Sequence, residues 1–470
     1  MALSTLITWE CRTAGSDNSG GGFKRGATGT DRSQQNAAYV SGTNLTVHAV
    51  TNTDVLPDGH TPAAADVGNL IQITAGAGFT LGFYEIASIQ SGYWRLDRSP
   101  AAVGTTSGIW AMGGALASPS IAVIKATGNN FIYIKNDGVY SITSASAGVA
   151  GGILQTASNG SITTFIRIIG YKTTRNEAIL EADMPVIQAS GISTAILIDI
   201  NHSYWLVTNI KVDGASLTAI SGIDGTVSNY NIIINCVVLN CTTVGIYLNV
   251  NAGYVIRCKV YGCSGTYAIY GGVGVFYCES FDNTVTGIIS NYIFKCISYR
   301  NRGANVRGIQ TILNSTNICI GNICFYNQGD GIYVPGSGVI INNILYNNGA
   351  YGINFANYSA FSVNNAFGSN TSGETTGSGI PLVANNVTLI ADPFTSASTS
   401  TSGASDFSLN ATAGGGAACK NVGFPTESIA STDTFNDIGY SRHQDPAGGG
   451  SSAIDIHNTL LVVPRGVLAY

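Results

Sequence analysis

The sequence predicts an all-β protein built around a parallel β-helix solenoid, with a small N-terminal antiparallel β module and a short capping helix. Three observations carry this. Residues 230 to 370 repeat a short apolar strand at a period near 20. The segments between these strands are rich in Asn and Gly, which tolerate the left-handed backbone that coil corners need. Of the 470 residues, only 10% are charged, whereas Gly reaches 59, Asn 41 and the hydrophobic fraction 45%. Soluble proteins usually carry roughly 25% charge, so here uncharged turn formers supply the polar surface.

The repeat is legible residue by residue. Cys236-Val-Val-Leu239, Cys258-Lys-Val-Tyr261, Cys278-Glu-Ser-Phe281, Cys296-Ile-Ser-Tyr299, Ile323-Cys-Phe-Tyr326 and Asn343-Ile-Leu-Tyr346 align without gaps, their ends 22, 20, 18, 27 and 20 residues apart. Each is followed by a small residue and Ile, as in Gly245-Ile246, Ala268-Ile269, Gly287-Ile288, Gly308-Ile309, Gly331-Ile332 and Gly352-Ile353. Stacked coils place equivalent residues about 4.8 Å apart, so like residues form ladders. Cys236, Cys258, Cys278 and Cys296 are expected to stack inside the coil, with Cys241 and Cys263 as a second pair, all reduced and acting as small hydrophobes. Disulfides along the ladder are the rival reading, disfavoured because adjacent-coil pairing strains the bridge.

Coil-like runs extend upstream through Thr164–Ile169, Ile196–Asp199 and Tyr204–Val207, and downstream through Phe361–Asn364 and Val387–Ile390. Ser118-Pro119, followed by Ile121, Val123 and Ile124 and stopped at Gly128, predicts a helix near 118–127 with Ser118 as N-cap, plugging the first coil. Leu70–Ile73, Gly82–Ile86, Trp94–Leu96 and Ile109–Met112 read as four strands of a small barrel or sandwich. The glycine-rich Gly15–Gly22 predicts an extended arm. The expected division is therefore an arm over 1–60, the β module over 61–116, the β-helix over 117–395, and a final coil and tail over 396–470. The apolar ends Leu460–Val463 and Val467–Tyr470 are expected to pack on the helix or on a partner.

These residues resemble the right-handed parallel β-helix proteins of the pectate-lyase-like superfamily, in the version found in tailed-bacteriophage particles. Trp9-Glu10, Gly15–Phe23, Gly29-Thr-Asp31 and Ser33-Gln-Gln35 are similar to the opening of many phage structural proteins, as are Asp66–Ile73 and Leu96–Pro100. Gly170-Tyr-Lys-Thr-Thr-Arg175 resembles an early-coil motif, while Asp392-Pro-Phe394, Asp406–Leu409 and Asp437-Ile-Gly439 resemble a last-coil signature. The resemblance spans nearly the whole chain, and its motifs are structural. It implies a virion component assembled in the host cytoplasm: a tail fibre, tailspike or head appendage, trimeric, and attached to capsid, portal or tail proteins.

A net charge of −5 argues against a nucleic-acid partner. No stretch approaches the ~18 apolar residues of a membrane-spanning helix. Met1–Arg12 lacks the basic and apolar regions of a secretory signal. His48, His60, His202, His443 and His457 show no ligand spacing, so no metal or cofactor is expected.

Chemistry is sparse. The repeat region holds three acids, Glu279, Asp282 and Asp330, which are weak catalytic candidates: the first two share a coil and the third lies about two coils away. Upstream, Asp199, Asp213 and Asp224 are spaced 14 and 11 residues apart, too irregular for a ladder. Arg257 with Lys259, and Lys295 with Arg300, Arg302 and Arg307, could form a positive stripe for an anionic glycan, or merely keep a β surface soluble. Tyr247, Tyr254, Tyr267 and Tyr270 are candidates for stacking on sugar rings. The leading expectation is a virion structural protein that exposes the β-helix, with adhesion to host glycan as an added role; the alternative is a polysaccharide depolymerase, a lyase or glycosidase. Fold alone does not choose between them.

Overall fold

The computed structural model describes residues 3–248, 253–313, 317–356, 360–377, 382–400, 405–420, 422–423, 437–440, 462–463 and 466–467. Most of them form a parallel β-helix whose coils lay down three sheets in turn. Among the described residues, the first sheet has eleven strands running from Val139–Ile142 through Val237–Leu239, Lys259–Tyr261, Glu279–Phe281 and Ile297–Tyr299 to Val387–Thr388. The second runs from Gly152–Gln155 through Ala195–Asp199, Ile220–Gly225 and Val244–Leu248 to Gly373–Gly377, and the third from Phe131–Lys135 through Ile166–Tyr171 to Leu382–Ala384.

Two columns of left-handed residues turn the chain. Between the third and first sheets stand Asn209, Asn235, Arg257, Tyr277, Lys295, Gly321, Asn342, Asn364 and Asn385, and after the first sheet Asn240, Gly262, Asp282, Arg300, Tyr326, Asn347 and Ser369, all at positive φ. Asn and Gly dominate because they adopt this conformation at least cost, whereas bulky side chains there are strained.

The interior is a set of ladders. Ile223, Ile246, Ile269, Ile288, Ile309, Ile332 and Ile353 are successive register partners on the second sheet, and all are fully buried. At roughly 1.5–3 kcal/mol for each such side chain, this column is a main source of stability. The cysteines stack as expected: the Cys258 and Cys278 amides face the Cys278 and Cys296 sulfurs at 3.3 and 3.4 Å, and all ten cysteines are free and buried.

Asparagine does more than mark corners. The Cys296 amide donates to Asn322 Oδ1 at 2.9 Å, and the column continues as Asn322, Asn343, Asn365 and Asn386. The second cysteine pair hands over in the same way, the Cys263 amide donating to Asn283 Oδ1 at 2.9 Å, followed by Asn301, Asn327, Asn348 and Asn370. Asn283, Asn301, Asn322, Asn327, Asn343 and Asn348 each donate through Nδ2 to the next carboxamide and to a main-chain carbonyl, so the row satisfies itself.

The helix spans Pro119–Lys125 and buries Ala122 and Val123 against the first coils. Ser118 does not cap it through its side chain; the hydroxyl donates to Asp17 Oδ2 at 2.7 Å, tying the helix to the N-terminal segment.

Residues 3–60 do not lie apart as an arm. Ile7–Cys11 pairs in parallel with Phe131–Lys135 and so belongs to the third sheet. Val40–Val47 and Asp54–Leu56 join Leu70–Ala75, Gly82–Gln90, Tyr93–Leu96 and Gly108–Met112 in a closed antiparallel barrel, around Trp94, Trp110 and Ile71. The glycine-rich stretch concealed this, because its partners are remote in sequence. Its motifs converge on one buried ion cluster. Glu10, fully buried, accepts from Arg12 Nε at 2.8 Å, from Arg175 Nε at 2.9 Å and from the Tyr171 hydroxyl, while Arg175 also donates to Asp31 at 2.9 Å and Ser33 at 3.0 Å. A buried carboxylate is tolerable only with such compensation.

At the other end the chain folds back over the outer face of the first sheet. Phe394–Ser396 pairs with Asp406–Leu409, and Phe394, Phe407, Cys419 and Ile438 pack on Tyr299, Ile323, Phe325 and Ile344. Val462–Val463 pairs with Gly466–Val467; the rest of the expected apolar terminus lies outside the described residues.

Candidate functional site

The outward residues of the second sheet form one continuous column. Next to the buried isoleucines stand, in register, Gln155, Asp199, Asp224, Tyr247, Tyr270, Ile289, Gln310, Tyr333 and Asn354. Strand alternation puts them on the outer face. Asp199 and Asp224 are thus direct neighbours on adjacent coils, about 4.8 Å apart along the backbone. Their 25-residue separation concealed this, because loop 214–219 lengthens the coil between them.

The two carboxylates sit differently. Asp199 is nearly buried and accepts from Gln155 Nε2 at 2.7 Å and Asn201 Nδ2 at 2.9 Å. Burial raises its pKa above the ordinary carboxyl range against those two bonds, with Asp224 adding to the rise. Asp224 is more open and accepts from the Thr226 amide at 2.9 Å and from its hydroxyl.

Aromatic rings continue the column. Tyr247 and Tyr270 stack at 4.7 Å and 15°, and Tyr267 leans on Tyr270 at 5.3 Å. Packing lifts the Tyr270 hydroxyl pKa to about 12, chiefly through burial, so it is a neutral donor. Where the chain leaves the second sheet, Tyr204 and Tyr230 stack at 5.1 Å and 8°, both at positive φ. Arg307 ends the row, its guanidinium 3.8 Å from the Tyr333 ring centre and bonded to Gln310 at 2.8 Å. Partly exposed tyrosine rings beside carboxylate acceptors suit a sugar: ring atoms left open by the stack contact its C–H groups and oxygens accept its hydroxyls.

The other residues singled out in the sequence are dispersed. Tyr254 stacks on Phe276 in the third sheet. Lys295 donates to the Gly439 carbonyl at 2.9 Å, and Arg302 to that of Thr399 at 2.9 Å. Arg300 is buried, forks onto Asp282 at 2.8 and 2.9 Å and donates to the Ser398 and Ser400 carbonyls. The cationic row of Lys295, Arg300 and Arg302 therefore clasps the C-terminal segment. Arg257 lies at a corner and Lys259 opens an interior strand of the first sheet. Glu279 accepts from the Tyr299 hydroxyl at 2.7 Å. Asp330 is buried, holding the Tyr351 amide at 3.1 Å and Asn354 at 2.9 Å. Glu279, Asp282 and Asp330 thus occupy three separate settings.

The polypeptide is a parallel β-helix. Its sequence matches no protein-family model and no curated protein. Among solved structures it is similar to the pectate lyase Pel9A, with 14% identity, a TM-score of 0.44, and coverage of 71% of this chain and 92% of that one. It is also similar to an alginate lyase from Paenibacillus sp. str. FPU-7, at 10% identity and TM-score 0.38 over 57% of this chain and 95% of that one. A third is ORF18 of Geobacillus virus E2, at 14% identity and TM-score 0.33 over 56% of this chain and 52% of that one. The likeness is one of fold alone. What the second-sheet column can do follows from its own residues.

Proposed function

We propose that this chain is a structural component of a bacteriophage particle that grips a host-surface polysaccharide along the outer face of its second sheet. The observation that carries the glycan part is the continuous register of Asp199, Asp224, Tyr247 and Tyr270, which sets two carboxylates beside a stacked aromatic platform. The particle part rests on the sequence motifs at 9–35, 66–73 and 96–100. In this reading the N-terminal barrel docks to a capsid, portal or tail protein, and the chain assembles as a trimer, which native mass measurement would check.

The second reading, a depolymerase, is favoured by one observation: a buried carboxyl with a raised pKa, Asp199, beside a more open one, Asp224, is the asymmetry that an acid and its partner need. Incubating the purified protein with capsule or lipopolysaccharide separates the two. Binding without new reducing ends or unsaturated products supports adhesion, release of oligosaccharides supports cleavage, and neither binding nor release would overturn the glycan assignment.

A further inference from the structure

A cleft of about 640 Å³ lies over the first sheet, away from the second-sheet column. Lys259 and Glu279, register partners on adjacent coils, form part of its floor. Glu181 and Met184, from the 172–185 excursion, wall one side, and Tyr277 and Tyr440 also line it. Its size is that of a small-ligand pocket.

The polar groups alternate along the floor. Lys259 Nζ lies 3.3 Å from Glu181 Oε2 and 4.0 Å from Glu279 Oε2, and each of the three side chains is about a third exposed. Two carboxylates share the Lys259 ammonium, and Arg257 also lines the cleft, so its two acids and two bases balance and hold no net charge for an anionic sugar. The place a ligand amine would take is already filled by Lys259. What remains is a row of acceptor, donor and acceptor, which matches neighbouring hydroxyls of an uncharged sugar.

A second, independent observation points the same way. Tyr277 holds φ +57 in a corner column that is elsewhere mostly Asn or Gly, and its side chain is 37% exposed in the cleft. A bulky residue in left-handed backbone is strained, and here more than a third of it stays exposed. An aromatic face for a ligand accounts for it.

We propose that this cleft is a second saccharide site, selective for a neutral oligosaccharide of about two or three units. It goes beyond the second-sheet reading and does not depend on it. The test is saturation-transfer NMR and calorimetry on the full chain with cellotriose, maltotriose, mannotriose and trigalacturonate. At least one neutral trisaccharide should bind, more tightly than trigalacturonate. Tyr277→Asn should weaken it by about tenfold while leaving thermal stability equal or higher, because Asn suits that corner. Glu279→Gln should also weaken it, and Asp224→Asn should not. No binding by any neutral probe, or binding unchanged in Tyr277→Asn and Glu279→Gln, overturns the cleft. A neutral probe lost on Asp224→Asn instead assigns the signal to the second sheet and also overturns it.

Discussion

Asp199 and Asp224 are register partners on adjacent coils of the second sheet, one nearly buried and the other partly exposed. Because burial raises the Asp199 pKa, the fold favours its neutral form. The ionised carboxylate therefore costs stability at neutral pH, a cost that fades as pH falls toward the ordinary Asp value of about 3.9. Asp199→Asn should match or exceed the wild type in thermal midpoint at pH 7, with the wild type gaining on it upon acidification. A difference that stays constant with pH would show that the carboxyl's burial has no such consequence.

The handover from Cys296 to Asn322 makes a second prediction. Cys and Asn occupy equivalent positions of one column, so Cys296→Asn should extend the amide row and cost less than about 1 kcal/mol. Asn322→Ala strips the partner from the Cys296 amide, removes the side-chain donor to the Ile293 carbonyl, and leaves the Asn343 carboxamide oxygen with the residue 322 backbone amide but without the Nδ2 donor. Denaturant unfolding should register a loss of about 2–4 kcal/mol.

The Arg300–Asp282 fork predicts how the C-terminal segment is held. Arg300→Ala leaves a partly buried carboxylate uncompensated and releases the Ser398 and Ser400 carbonyls. The expected stability loss is about 3 kcal/mol, with faster hydrogen exchange across 394–400 and 405–409 and little change around the N-terminal barrel. Uniform protection would contradict the clasp.

The thiols supply a further check. Burial pushes Cys236, Cys278, Cys319 and Cys324 above the ordinary thiol range, so at neutral pH they stay protonated and shielded. An aromatic disulfide reagent should label almost none of the ten cysteines in the native protein and all ten after denaturation. Fast native labelling would contradict the stacked interior.

The solenoid was legible because its ladders repeat at nearly constant spacing: the Ile246 to Ile353 column and the Cys236 to Cys296 stack could both be read from the chain. Other features were hidden for physical reasons. Asn serves both as corner and as interior amide, and composition cannot tell Asn342 from Asn343. Asp199 and Asp224 looked irregular because coil length is set by loops, whereas register is set by strand pairing. The strand Ile7–Cys11 pairs locally with Gly22–Lys24, but its parallel partner in the third sheet lies more than a hundred residues away, so no local pattern places it in the solenoid. The basic residues were seen as a stripe, but a stripe carries no sign of what it holds, and Lys295, Arg300 and Arg302 hold the protein's own C-terminal segment.

The most direct test of the account is a titration of fractionated host-surface oligosaccharide against the wild type, Asp224→Asn and Tyr270→Ala, with thermal midpoints confirming that all three are folded. If the second-sheet column is the glycan contact, each variant loses about tenfold or more in affinity. Wild-type affinity retained in both would contradict it.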